Sequence, residues 1–252
     1  MSNNKTKKLL EGLDLHKVVV DSLKNDPTIS SMKDRSKKLD ESYVANAKPF
    51  KQVSELVSQK TKEAHTTLYK SYVDVLNDVS ADLDTADRAE TNFSHSMFKS
   101  CKISEAYNLN AVWLHELYFA NCFDPHSEIV MDSIAYLKLQ RDFGTFEDWQ
   151  RDFIACAMSA GNGWAVCGYH TFLKRYINVP VTGHSGDVMI GFYPLIVVDM
   201  WEHAYARDYL TDKKSYLISQ MREFNWTTIE ERFKRSEAIA VGVKLWVRLK
   251  FV

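Results

Sequence analysis

Asp199 and His203 stand four residues apart in "DMWEHAYARD", directly behind the apolar run "YPLIVV". A carboxylate leaving the end of a buried strand is costly unless something positive meets it, because an unpaired charge loses its hydration on burial. An arginine, a nest of backbone amides or a metal ion would each serve. The plainest arrangement is an i,i+4 ion pair at a helix start, but the aromatic surroundings offer such a pair little solvent. Among the eight histidines, His65 and His115 also lie on apolar helical faces. One histidine in such a place is ordinarily a satisfied core residue. Two of them on facing helices, together with Asp199 and His203, make four nitrogen and oxygen donors on three elements. Imidazole plus carboxylate suits iron or manganese better than a thiol-lined zinc site.

The elements that must position these donors are legible from periodicity. From about Val53, apolar residues recur at three- and four-residue steps through Leu56, Val57, Ala64, Leu68, Tyr72, Leu76 and Val79, with His65 on the stripe. Residues 81–105 read as polar and turn-like. A second helix runs from about Ala106 to Cys122, with Val112, His115 and Phe119 on one face. Two long striped helices predict an antiparallel hairpin. Helical stretches follow at about 130–140 and 146–160, Thr145 before "FEDW" resembling a capping box. Three strand-like runs, "WAVCGY", "KRYINV" and "PLIVV", are too few for a doubly wound sheet. The expected fold is α+β: an N-terminal long helical hairpin, then a C-terminal α/β domain with a small three-stranded antiparallel sheet. The divisions expected are 1–42, a charged extension; 43–127, the hairpin; 128–236, the α/β metal-binding part; and 237–252, a strand-like arm.

Bulk composition excludes several classes. The 252 residues carry a net charge of −1, 45% hydrophobic and 26% charged residues, giving no global pointer to nucleic acid or an anionic membrane. No apolar run reaches a membrane span, and the N-terminal segment lacks the apolar core of a signal peptide, so an intracellular, soluble protein is expected. The four cysteines form no CxxC pair and are expected as free thiols. No nucleophile motif, phosphate loop or second carboxylate pair accompanies the site.

"DMWEHAYARDY" resembles the C-terminal metal-binding signature of the iron/manganese superoxide dismutases, D-x-W-E-H. "FGTFEDWQRDFIACAMSAGNGWAV", "NLNAVWLHELYFANC" and "FNWTTIEERF" resemble further segments of that family in the same order, over roughly residues 50–235. The resemblance implies one Fe or Mn ion per chain, held by His65, His115, Asp199 and His203, and conversion of superoxide to dioxygen and hydrogen peroxide. His95 in "NFSHSMF" superficially competes with His115, but sits in the polar stretch. "EAHTTLYKSYVDVLN" resembles the family's first-helix motif with one residue fewer between His65 and Tyr72, as though a π-bulge were lost. Tyr72 then takes the place of the gateway tyrosine. His184 matches the variant that places a histidine from the sheet beside the metal-bound solvent, since Ala111 rules out supply from the second helix. Trp164 and Trp201 resemble the pocket's aromatic walls, a role compatible with plain core packing.

The dimer seam departs from the pattern. Glu202 of W-E-H is present, but the seam tyrosine position holds Ala206, and its partner histidine position holds Leu68 or Tyr69. A homo-oligomer (a dimer) is implied by the resemblance. The departures and the two extensions raise a second expectation, a dismutase-fold structural subunit of a larger assembly.

Overall fold

In the computed structural model the described residues are 42–51, 53–122 and 125–249, with side chains described as far as Ala240. The expected charged extension therefore lies, but for Ser42, outside them. Among the described residues the chain forms helices α1 (Gln59–Thr85), α2 (Met97–Cys122), α3 (Ile134–Phe143) and α4 (Phe146–Ser159). Strands β1 (Gly163–His170), β2 (Arg175–Thr182) and β3 (Phe192–Asp199) come next, then α5 (Glu202–Tyr209), α6 (Lys213–Arg222) and α7 (Trp226–Leu249). Helices plus one antiparallel three-stranded sheet make the α+β fold.

Among the described residues two compact units divide within both long helices: 78–104 with 42–44, and 45–77 with those from 105 to 249. The first has its own small core, Val79, Leu83 and Cys101, with Phe98 against it. The second holds the main core, in which α1 and α2 run antiparallel. His65 of α1 meets Phe119 of α2, and about two turns later Tyr72 meets Tyr107.

Helix α1 starts later than the apolar stripe suggests. Ser58 Oγ accepts the Thr61 amide at 3.3 Å, an N-cap that begins the helix there. Asp208 Oδ2 takes the Ser58 amide and the Thr61 hydroxyl, tying this start to α5. The buried face consequently runs through Thr61, His65, Tyr69, Val73 and Leu76, while Ala64 is exposed. Helix α2 begins at Met97, inside the stretch expected to be turn-like. Ser96 Oγ accepts the Lys99 amide at 3.3 Å and starts it. The 237–252 segment, expected to be strand-like, is helical through Leu249 as the continuation of α7. Its alternation of Lys and Arg with Leu and Val fits a helix as readily as a strand over so short a run.

The sheet order is β2-β1-β3, every pair antiparallel. Residues 163–169 of the central strand are all buried. Trp164 pairs with Val181 on one side and with Asp199 on the other. One edge of the sheet thus gathers the start of β1, the end of β2 and the end of β3. As the outer edge of a buried strand, β3 would leave carbonyls without partners. Arg232 donates to Leu195 O at 2.7 Å and Asn121 to Val197 O at 3.1 Å. On the other edge, Asp142 accepts the Tyr176 amide at 2.7 Å.

Gly163 is where the backbone needs the smallest residue. A Cβ there would stand 2.2 Å from Val181 O and 2.9 Å from Ala160 O, both backbone atoms with no freedom to swing away. Gly163→Ala is therefore expected to destabilise the fold by about 1–3 kcal/mol, the usual cost of overpacking, read as a lowered midpoint in denaturant unfolding.

Candidate metal centre

The end of β3 delivers Asp199 into a fully buried position, and three further elements bring ligand atoms to it. His65 comes from α1, His115 from α2 and His203 from the first turn of α5. One ligand atom from each of the four lies within 4.8 Å of every other. Asp199 Oδ2 stands 3.0 Å from His203 Nε2, 3.2 Å from His65 Nε2 and 3.9 Å from His115 Nε2. Its other oxygen, Oδ1, accepts the Trp201 amide at 2.8 Å, and its backbone carbonyl accepts the Tyr216 hydroxyl at 2.9 Å. Tyr216 is braced in turn by Tyr118, 3.0 Å away.

The protonation pattern follows from these contacts. Burial, the largest influence on Asp199, would raise its pKa, but His203, by charge and hydrogen bond, and then the nearby His65 ring outweigh it and hold the carboxyl below the usual range. Burial pushes the His65 imidazole down, and takes His115 to about 3. Both rings are neutral at pH 7, and each is almost wholly excluded from solvent. His115 Nδ1 lies 2.6 Å from Ala111 O, so Nδ1 carries the proton and Nε2 keeps its lone pair. That Nε2, and Nε2 of His65, are buried without a hydrogen-bond partner, the 3.2 Å approach to Asp199 being misaligned for one. Two orphaned imidazole nitrogens facing an ionised carboxylate are expensive as they stand and favour a cation. The residues therefore fit a single first-row metal ion.

The remaining expected residues also gather here. His184, in the turn after β2, is fully buried. Trp164 Nε1–H donates to its Nδ1 at 3.1 Å, and its Nε2 lies 3.1 Å from the Tyr72 hydroxyl. An indole only donates, so Nδ1 accepts and Nε2–H donates to the Tyr72 oxygen. Burial lowers His184 to about 4, leaving it neutral. Burial and then the neighbouring Tyr107 phenol push Tyr72 up to about 12, leaving it protonated. Helix α1 is α-helical throughout, with no π turn, and Tyr72 still reaches His184. Trp201 stacks on His184 at 5.6 Å and on His203 at 5.9 Å. His95 is not in the cluster; it is exposed and bonded to Ser94. Glu202 is exposed at the start of α5, with Ala206 half-buried one turn on.

Three contributors escaped the sequence reading. Tyr69 is fully buried and donates to Glu116 at 3.0 Å, while the Lys48 amide donates to Tyr69 at 3.0 Å. Tyr107 covers His184, their ring centroids 4.7 Å apart. Helical spacing relative to His65 and His115 was the available signal for Tyr69 and Tyr107. Nothing in the pattern marked the extended segment that carries Lys48.

A model of the iron/manganese superoxide dismutases, C-terminal domain, matches residues 133–232. An iron superoxide dismutase of Aquifex pyrophilus is 33% identical over 189 residues, covering 74% of this chain and 86% of the relative. The chain belongs to the iron/manganese superoxide dismutase family. The iron superoxide dismutase of Aquifex aeolicus is 32% identical over the same shares. A manganese superoxide dismutase of Halobacterium salinarum is 30% identical over 176 residues, 68% of this chain and 84% of its own. Relatives of both metal types, and the buried His-His-Asp-His cluster, fit one Fe or Mn ion. No described helix of this family member is long and apolar enough to cross a membrane.

The metal-free family member is expected to be acid-sensitive. Its unfolded chain binds protons on His65, His115 and His184 near pH 6.5, whereas burial in the folded chain lowers all three rings, to about 3 for His115 and about 4 for His184. The unfolded state then carries more protons across this window, so stability falls as pH drops below 6.5, by up to about 1.4 kcal/mol per pH unit for each ring. Urea unfolding of the metal-free protein at pH 7 and pH 5 measures the difference.

Proposed function

We propose that the chain is an active, metal-dependent superoxide dismutase, converting superoxide to dioxygen and hydrogen peroxide at a mononuclear site held by His65, His115, Asp199 and His203. The observation that carries this reading is the pair of buried, partnerless Nε2 atoms facing an ionised carboxylate. An Fe or Mn ion bound there would supply a one-electron couple, so that one superoxide is oxidised and a second reduced, consuming two protons: 2 O2− + 2 H+ → O2 + H2O2.

The chain's own residues supply placement, water exclusion and protons. Phe119, Tyr118, Trp164 and Trp201 wall the donors in rings and keep the local dielectric low. Tyr72, half-buried beside His115, is the hydroxyl set between the cluster and solvent. Since His184 Nε2–H donates to its oxygen, the Tyr72 proton is left to be given to reduced substrate and then replaced. Trp164 fixes the His184 tautomer that makes this direction possible.

A second reading, a structural subunit of a larger assembly that keeps an inherited site, is favoured by the seam. Ala206 stands where the family resemblance expects a tyrosine, and Tyr69 is turned to Glu116 and Lys48 within its own chain. We assign the chain to a homo-oligomer with Glu202 at its interface; light scattering of Glu202→Ala that matched the unaltered protein in mass would remove that residue from the interface.

Stopped-flow decay of superoxide, normalised to iron and manganese bound per chain, separates the two functional readings. Fast decay is expected, lost together with bound metal in Asp199→Ala, and slowed roughly tenfold or more in Tyr72→Phe with metal retained. Bound metal without decay in the unaltered protein would replace the dismutase by the structural subunit.

A further inference from the structure

Tyr107 lies on α2 two turns before His115, and its ring meets His184 edge-on at 4.7 Å with planes 80° apart. Among the described residues no other ring comes as near that imidazole: Tyr72 is at 5.0 Å, Trp201 at 5.6 Å, Trp164 at 5.8 Å and His115 at 6.0 Å. Tyr107 also packs on Tyr72 at 6.4 Å. It is 37% exposed, while His184 beneath it is 0% exposed. Among the described residues three rings contact Tyr72; two of them (His115 and His184) are fully buried, and Tyr107 reaches solvent.

We propose that Tyr107 is a positioning residue, its ring the outer cover that holds the His184 imidazole and the Tyr72 hydroxyl in the Trp164–His184–Tyr72 hydrogen-bond chain. His184 needs such a cover because it sits in a turn, beyond the last β2 ladder position at Thr182, just after Gly183 at a φ of 62°. No strand pairing holds its backbone, so packing must fix the ring. The two hydrogen bonds of His184, 3.1 Å each, order a proton path only while the ring keeps its plane. Water admitted at the Tyr107 position would compete for the Tyr72 hydroxyl and for His184 Nε2. An edge-to-face aromatic contact excludes that water and adds directional attraction. The phenol of Tyr107 stands close enough to Tyr72 to contribute to its raised pKa, second only to burial. Supplied by the chain's own α2, the cover requires no second subunit.

The proposal rests on the dismutase reading for what the hydrogen-bond chain serves, but its first test needs neither metal nor turnover. Metal-free protein is treated with diethyl pyrocarbonate, which modifies accessible neutral imidazole, and His184 is followed by peptide mass spectrometry. The expected result is slow modification in the unaltered protein and in Tyr107→Phe, and roughly tenfold faster modification in Tyr107→Ala and Tyr107→Leu, with His65 and His115 still protected. Melting temperatures near that of the unaltered protein show that each variant is folded; should Tyr107→Ala fail, Tyr107→Leu decides. In metal-loaded protein, superoxide decay per bound metal should fall several-fold in the Ala and Leu variants and be restored in Phe. Equal protection of His184 in folded Leu and unaltered protein overturns the proposal, as does loss of protection in Phe, which keeps the ring. Protection that follows the ring, in a protein that never turns over superoxide, keeps the cover and removes the dismutase reading instead.

Discussion

The structure is organised around one desolvated carboxylate. Asp199 is wholly buried, and every element of the larger unit that comes near it meets part of its requirement. The chain turning into α5 gives Oδ1 a backbone amide, α6 gives the main-chain carbonyl a tyrosine hydroxyl, and three imidazoles surround Oδ2. Ordinary hydrogen bonds thus satisfy one side of the residue completely. On the other side, beyond the His203 hydrogen bond, the neutral rings of His65 and His115 each keep a buried Nε2 without a partner. A buried charge of one sign beside orphaned lone pairs is stable only as half of something.

This requirement explains why the fold places its sheet where it does. Antiparallel pairing aligns the start of β1 with the ends of β2 and β3, which sets Trp164 opposite Asp199 and brings the turn carrying His184 to the same edge. The long helices then need only antiparallel packing to bring His65 and His115 to that edge, with Tyr72 and Tyr107 the next residues outward. Behind the cluster the chain closes on itself. The extended segment through Lys48 and Phe50 lies on Tyr69 and Phe119, and Tyr69 is engaged with Glu116.

The donors were legible in the sequence because their chemistry is exceptional. A carboxylate at the end of an apolar run and histidines on apolar stripes each break the pattern around them, and the order of motifs joined them. Element boundaries were harder. Ser58 and Ser96 start α1 and α2 by side-chain hydrogen bonds that a stripe of apolar residues does not reveal. The C-terminal segment misled because period-two alternation over a few residues is compatible with a helix as well as with a strand. Tyr69 and Tyr107 looked like core aromatics; what distinguishes them is a hydrogen bond to Glu116 in one case and an imidazole underneath in the other, contacts that exist only once α1 and α2 are side by side.

The side chains along the two outer strands have a further consequence. Arg232 and Asn121 occupy acceptors along β3, and Asp142 occupies a donor on β2. Helices α2 and α7 thereby cover part of the β3 margin of the three-stranded sheet, and α3 reaches the start of β2. An incoming extended peptide would have to displace a buried guanidinium before it could register against β3. Templated growth by strand addition, the usual hazard of a small sheet, is obstructed along that edge. The same groups that complete the hydrogen bonding of one chain thus also set the grammar by which many copies could assemble.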